Sequence, residues 1–272
     1  LGFLEGDQPL LKNIYGPLSA GKGQERVLEI LANNIANSNT TGFKEQEVSF
    51  QAMMANPWPA YSNPQPPAPF KNDMSEVYPL HGNEMGTVAV SSIRTNFSQG
   101  SLRETKSPLD VALQGNGFFV VETAFGERFT RDGSFTLTSD GTLVTRTGGT
   151  VAGESGPLTG LAEGDLRINQ KGEVYLGDRF IDRLRVVSFA DPELLERVGD
   201  NTFVHDGAPE NVTAFRGEVT QGFLEGANVN PMKNMANLIT AHRTYEALQK
   251  AVQAHDKTME KGSNEIGAVR GG

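Results

Sequence analysis

The chain contains no cysteine, which excludes disulfides and thiolate metal sites together. It has no apolar run long enough to span a bilayer. A basic surplus is missing too: 24 Lys and Arg stand against 33 Asp and Glu, for a formal net charge of −9. Phosphate binding needs a basic face, and no block of basic residues reverses the balance, so no nucleic-acid partner is expected. The segment Leu1–Pro9 is short, acidic and rich in Gly, and it lacks the pattern of a cleavable signal peptide. That reading fits residence in the cytoplasm and equally fits export by a route that reads no cleavable signal.

Catalytic motifs are absent as well. The histidines, His81, His205, His242 and His255, form no H-E-x-x-H pair, and no cysteine can assist them. Gly115-Asn116-Gly117 fails as a dinucleotide fingerprint, because Val120 occupies the third glycine position and a strand follows where a helix is needed. Asp132 and Asp140 do not form a calcium loop, since Phe135 and Leu137 break the ligand spacing; turn formation explains both. No G-x-S-x-G elbow occurs. No catalytic residue, cofactor-binding residue, metal ligand or small-molecule substrate is therefore assigned, and the expectation is a protein that is not an enzyme.

What is present is a chain with helical ends and a β middle. Gly at 31 and Pro at 14 among 272 residues mark many turns and strand ends. Between Leu18 and Asn37 the apolar positions Val27, Leu28, Ile30, Leu31 and Ile35 fall at spacings of three and four, which is helical. Gly21 and Gly23 weaken the first turns, and Asn39-Thr40-Thr41-Gly42 stops the helix, with Gly42 expected in the left-handed conformation. Asn33, Asn34 and Asn37 lie near one face, where their carboxamides can hydrogen-bond neighbouring backbones; Asn39 reads as a helix-ending residue.

At the other end, Asn230 and Pro231 supply an N-cap and first helical position. A stripe of Met235, Leu238, Ile239, His242, Tyr245, Leu248, Val252 and Met259 follows, and Gly262 closes it after roughly 45 Å. Such a one-sided helix must bury its stripe against the N-terminal helix or against neighbouring subunits.

Strands are expected at Val88–Phe97, Leu109–Leu113, Phe118–Val121, Glu127–Arg131, Ser134–Thr138, Thr142–Thr145, Leu166–Asn169, Glu173–Leu176 and Leu184–Phe189. Asp132-Gly133 and Asp140-Gly141 supply hairpin turns, and Asp191-Pro192 caps a short helix through Val198. The prolines at 57, 59, 64, 66, 67 and 69 read as an extended linker. The pentapeptide Gly2–Gly6 recurs at Gly222–Gly226, and one recurrence does not make a repeat architecture. The fold class is α+β with a central, mostly antiparallel β domain. The expected division is 1–11 leader, 12–50 N-terminal helix and turn, 51–75 Pro-rich linker, 76–226 β domain, 227–262 C-terminal helix and 263–272 tail.

Asn33–Lys44, reading NNIANSNTTGFK, closely resembles the signature of flagellar rod and hook proteins. Ser107–Phe119 (SPLDVALQGNGFF), Phe129–Phe135 (FTRDGSF) and Gln221–Asn230 (QGFLEGANVN) agree, in the order that family uses. The resemblance spans about Leu11 to Met259. Leu224–Pro231 and the Thr-Arg-Asp-Gly turn look more like the proximal-rod branch, whereas Arg243-Thr244-Tyr245-Glu246 and Lys250 are closer to the distal one; the balance favours proximal.

The resemblance implies terminal helices that pair in a coiled-coil-like layer around a hollow axial tube, with the β domain outside. It implies export through the flagellar apparatus without a cleaved signal, and a rod that crosses the periplasm and transmits torque to the hook. Implied partners are further copies of the chain, other rod subunits, hook-side and membrane-ring-side axial proteins, surrounding periplasmic ring proteins and the export apparatus. The expected assembly interface is Leu28, Leu31, Asn33, Asn34, Ile35 and Asn37 with Met235, Leu238, Ile239, His242, Tyr245, Leu248, Val252 and Met259; Thr41, Gly42 and Phe43 form the family-motif turn. The alternative is a β-rich surface adhesin or binding module, which leaves the helices unexplained. A hydrolase built on carboxylates that meet in space is the weakest reading.

Overall fold

A computed structural model describes residues 9–55, 85–161, 166–205 and 211–269. The chain divides into two compact units: Leu1–Ile30 with Val48–Ile93 and Ala236–Gly272, and Leu31–Glu47 with Arg94–Met235.

Most of two long helices and of a strand pair makes up the described part of the first unit. Helix α1 runs Pro9–Ala36 and α2 runs Pro231–Val269, about 42 and 58 Å at 1.5 Å per residue. Both exceed expectation. Helix α1 continues through Gly16-Pro17 and so includes part of the segment read as a leader. Helix α2 passes Gly262, because one interior glycine costs only about 1 kcal/mol. Strand β1 (Gln46–Ala55) pairs with β2 (Met85–Thr95). Residues 56–84, which take in most of the Pro-rich linker expected at 51–75, lie outside the described residues. The β2 residues up to Ile93, assigned above to the β domain, group with the helices.

On α1, Gly23 and Ile30 are buried and Val27 half-buried; on α2, Ala241 is buried and Leu238, Tyr245, Leu248 and Val252 are half-buried. These positions alternate by three and four, the 3.5-residue repeat of a helix seam. Gly21, Lys22 and Glu25 of α1 line one groove of about 440 Å³ with Tyr245, Leu248 and Val252 of α2.

The second unit is the β unit. Along the chain its strands are β3 (Leu102–Glu104), β4 (Val111–Gln114), β5 (Phe118–Thr123), β6 (Gly126–Thr130), β7 (Phe135–Leu137), β8 (Leu143–Thr145) and β9 (Thr150–Val151). Next come β10 (Leu166–Ile168), β11 (Glu173–Leu176), β12 (Arg179–Arg183), β13 (Val186–Phe189), β14 (Leu195–Gly199), β15 (Thr202–His205), β16 (Val212–Ala214), β17 (Glu218–Gln221) and β18 (Phe223–Glu225). The main sheet has nine strands, in the order β14-β15-β6-β5-β9-β8-β7, with β13 and β16 joined through β5. Every described pairing within this unit is antiparallel.

Strand β5 organises the core. Its unbroken run Phe118-Phe119-Val120-Val121 is buried on both faces: Phe119 and Val121 point into one apolar cluster with Leu113, Phe135 and Leu143, and Phe118 and Val120 into another with Phe129, Phe189 and Phe203. Edge-to-face aromatic pairs knit the second cluster, Phe118 lying 5.5 Å from Phe97 and 5.6 Å from Phe189.

Two local expectations are corrected. Asp140-Gly141 does join a hairpin, β7 to β8, with Gly141 at φ +74°. Asp132-Gly133 does not: β6 and β7 each pair elsewhere, and Gly133 presses against the backbone of Val111, where a Cβ would fall 1.6 Å from its carbonyl oxygen. The Asp191 cap is real, its carboxylate accepting from Glu193 N at 3.0 Å, but it opens a single 3-10 turn, Pro192–Leu194. From Leu195 the chain becomes β14, because Leu195 is buried in the aromatic cluster and the segment pairs with β15.

Candidate assembly site at the helix roots

The last turn of α1 and the first turn of α2 belong to the β unit, and polar side chains fasten both there. Asn34, 1% exposed, treats the backbone of Gln46 as a sheet partner: its Nδ2 donates to Gln46 O at 2.8 Å, and its Oδ1 accepts from Gln46 N at 3.0 Å. Asn37 closes its own turn, donating to Asn33 O at 2.9 Å and accepting from Thr40 Oγ1 at 3.1 Å. On α2, Asn230 Oδ1 accepts from Lys233 N at 3.1 Å, the N-cap bond expected ahead of Pro231. Asn234 is buried and donates to Glu45 Oε1 at 2.8 Å. Asn228 accepts from Glu45 N at 2.7 Å and donates to Asn96 O at 2.7 Å.

Gly42 takes φ +65°, as its place after the helix requires. Its N–H donates to Glu225 O at 2.7 Å, and a Cβ would fall 2.4 Å from the Arg131 carbonyl carbon. Thr41 donates to Asp132 Oδ1 at 2.7 Å, and its carbonyl accepts from Asn201 Nδ2 at 2.7 Å. Phe43 is buried beneath the Arg197 guanidinium, 4.4 Å from its ring centre. Burial pulls the Arg197 guanidinium down to about 10, well below its ordinary range.

Beneath this turn lies a group of charges that sequence reasoning did not single out. Lys44, Arg131 and Glu225 are 0%, 2% and 1% exposed. Lys44 Nζ lies 2.7 Å from Glu225 Oε1 and donates to Ser98 O at 2.7 Å. Arg131 Nη1 reaches Glu225 Oε2 at 3.4 Å and its guanidinium covers the Phe118 ring at 5.0 Å. Gly100 N donates to Glu225 Oε1 at 2.8 Å. Desolvation lowers the pKa of Lys44 and of Arg131, and the attraction of Glu225 opposes it in both. Each ion closes or sits within one of the quoted motifs, which was the signal available; nothing in local spacing says that three distant charges meet.

The predicted interface residues divide. Leu28, Leu31, Ile35, Leu238, Tyr245, Leu248 and Val252 are half-buried, whereas Asn33 and His242 are exposed, as are Met235 at 48% and Ile239 at 54%. Tyr245, Leu248 and Val252 share the groove with α1. His242 Nδ1 lies 3.4 Å from Glu246 Oε1 on the same helix. Asn33 and Asn37 open on a cleft of about 490 Å³ with Asp132, Arg146 and Asn201. The side chain of Met259 lies outside the described residues.

Residues 18–44 match the family model for flagella basal body rod proteins, 112–176 that for the flagellar hook protein FlgE/F/G D1 domain, and 220–265 that for the flagellar basal body rod FlgEFG protein C-terminal region. The chain is 32% identical over 241 residues to flagellar basal-body rod protein FlgF of Caulobacter vibrioides, covering 87% of this chain and 90% of that one. The chain belongs to the flagellar basal-body rod protein family. This rod protein is also 32% identical over 250 residues to FlgG of Agrobacterium fabrum, with 86% and 91% covered. It is 29% identical over 280 residues to the flagellar hook-basal body complex protein FlhO of Bacillus subtilis, with 96% and 100% covered. Its family is a structural component of the rod and not an enzyme, which sets the adhesin and hydrolase readings aside. It belongs to the flagellar basal body. No described helix is long and apolar enough to cross a membrane.

Proposed function

We propose that this rod protein assembles helically through its terminal helices into the hollow axial shaft that crosses the periplasm and carries torque to the hook. The 3.5-residue seam on both helices, with the groove that they line together, carries this reading: it favours a coiled-coil-like pair. Once that seam is used, Met235 and Ile239 on α2 remain exposed, and Leu28, Leu31 and Ile35 on α1 are half-buried. These residues are the proposed contacts to further copies and to other rod subunits, in a heterologous arrangement that extends as a helix. Hook-side and membrane-ring-side axial proteins and the surrounding periplasmic rings complete the set of partners, and the flagellar export apparatus delivers the chain without signal cleavage.

Within the rod we place the chain at the proximal end, on the wording of Leu224–Pro231 and Thr130–Gly133. Density for this chain in an isolated basal body is the test. A layer of its terminal helices lining the channel, on the membrane-ring side, is expected; a location outside the axial structure overturns the assembly reading, and one on the hook side overturns the placement.

A further inference from the structure

We propose that Lys44, Arg131 and Glu225 act as an ionic clasp that holds the root of α1 and the root of α2 in one geometry inside the β unit. Lys44 follows the motif turn after α1, and Glu225 ends β18 shortly before α2; the two are 181 residues apart in sequence and 2.7 Å apart in space. Arg131 enters from the end of β6.

Stability alone does not account for such a group. Taking three ions out of water costs more than their attraction returns in many proteins, and a packed apolar replacement is often at least as stable. What buried ions add is direction. An apolar trio tolerates small slides, whereas a buried lysine displaced from its carboxylate leaves both unpaired. The surroundings enforce a single arrangement: one Glu225 oxygen takes Lys44 and Gly100 N, the other faces Arg131, and Phe118 supplies the second cation with a π face. Room to move is missing, since a Cβ on Gly100 would fall 1.9 Å from Gly226 O. The two cations have one carboxylate between them, so Glu225 is the member whose loss releases both.

The inference rests on the proposed assembly only for its consequence, that subunits add to a rod with preset helix roots; the clasp itself is testable on dilute monomer. The full chain has no cysteine, so Ala32→Cys and Lys233→Cys, both exposed, accept spin labels at the two roots alone. One narrow distance is expected in this parent. Glu225→Gln should at least double the width of the distribution and speed exchange of the Gly100 amide roughly tenfold. The apolar triple variant, Lys44→Met with Arg131→Met and Glu225→Met, should keep cooperative unfolding of the β unit and still broaden the distance. Should the triple fail to fold, Lys44→Met alone decides by the same distance. A parental width in Glu225→Gln, in Lys44→Met or in a folded triple variant overturns the clasp. Hook completion in cells is read separately, so a failure of the rod reading leaves the distance result standing.

Discussion

A single methyl group at residue 42 would meet three backbone atoms of Arg131 and Asp132 within 2.6 Å, while one at residue 21 would meet nothing within 4 Å. The two glycines therefore predict opposite outcomes. Gly42→Ala combines the left-handed penalty with that collision and should cost at least about 2 kcal/mol, read as a lower urea midpoint for the β unit. Gly21→Ala removes a helix-weakening residue and should stabilise α1 by roughly 1 kcal/mol, read as a higher helix melting temperature. Glu173 offers a test in pH. Hydrogen bonds from Arg183 first, then from Asn169 and Tyr175, hold its carboxyl down to about 2, from an ordinary 4.5. Because the folded value is the lower one, its contribution is fully present above pH 4.5 and is lost as pH falls toward 2. Its carboxyl resonance should titrate near the lower value, and Glu173→Gln should flatten the acid limb of the stability curve between the two. A midpoint near that of a free glutamate would show that the four side chains do not act together.

Helix α2 is where the element scale matters most. Read as one stripe in sequence, its apolar residues serve two sides in the structure: Leu238, Tyr245, Leu248 and Val252 are half-buried, whereas Met235 and Ile239 face out. Ile239→Ser should therefore leave monomer unfolding within about 0.5 kcal/mol yet reduce incorporation into basal bodies. Leu238→Asp should instead lower helix content in the monomer, since it removes about 1–2 kcal/mol of partial burial and places a carboxylate against apolar neighbours. Equal effects of the two in dilute monomer would refute the division. Strand β14 shows the limit of local signals: Asp191-Pro192 is a sound helix start, yet burial of Leu195 and pairing with β15 convert the helix into one turn followed by a strand.

At the scale of the whole molecule, the β unit is closed by strands from far apart. Strand β3 pairs with β18 and β4 with β17, joining residues 102–114 to residues 218–225. Ending the chain at Met235, the last residue of the second unit, should leave a folded β unit with its strand spectrum and cooperative transition. Ending it at Gly217 removes β17, β18 and Glu225, exposes Val111 and Leu113, and leaves Lys44 and Arg131 buried without a carboxylate. That shorter chain should be degraded rapidly by protease at temperatures where the longer one survives, and equal resistance would show that the closure is dispensable. Leu31→Asp in the full chain should allow export yet leave cells non-motile without a completed hook; normal swimming would remove the terminal helices from the assembly mechanism.

Features governed by neighbours in sequence were legible without coordinates: the helical ends, the Asn230–Pro231 start, the left-handed Gly42, the β7–β8 hairpin, the strand β5 and, through four ordered motifs, the family. Periodicity, capping and turn chemistry act within a few residues, so they leave a mark that can be read along the chain. Only the tertiary structure decided which face of α2 is covered, that Asn34 is spent on the backbone of Gln46, that Asp132-Gly133 joins no hairpin, and that Lys44, Arg131 and Glu225 share one buried site. Each depends on segments that meet across long loops, where the desolvation of a charge or the closeness of two backbones is set by the partner, and the partner is not written in the local sequence.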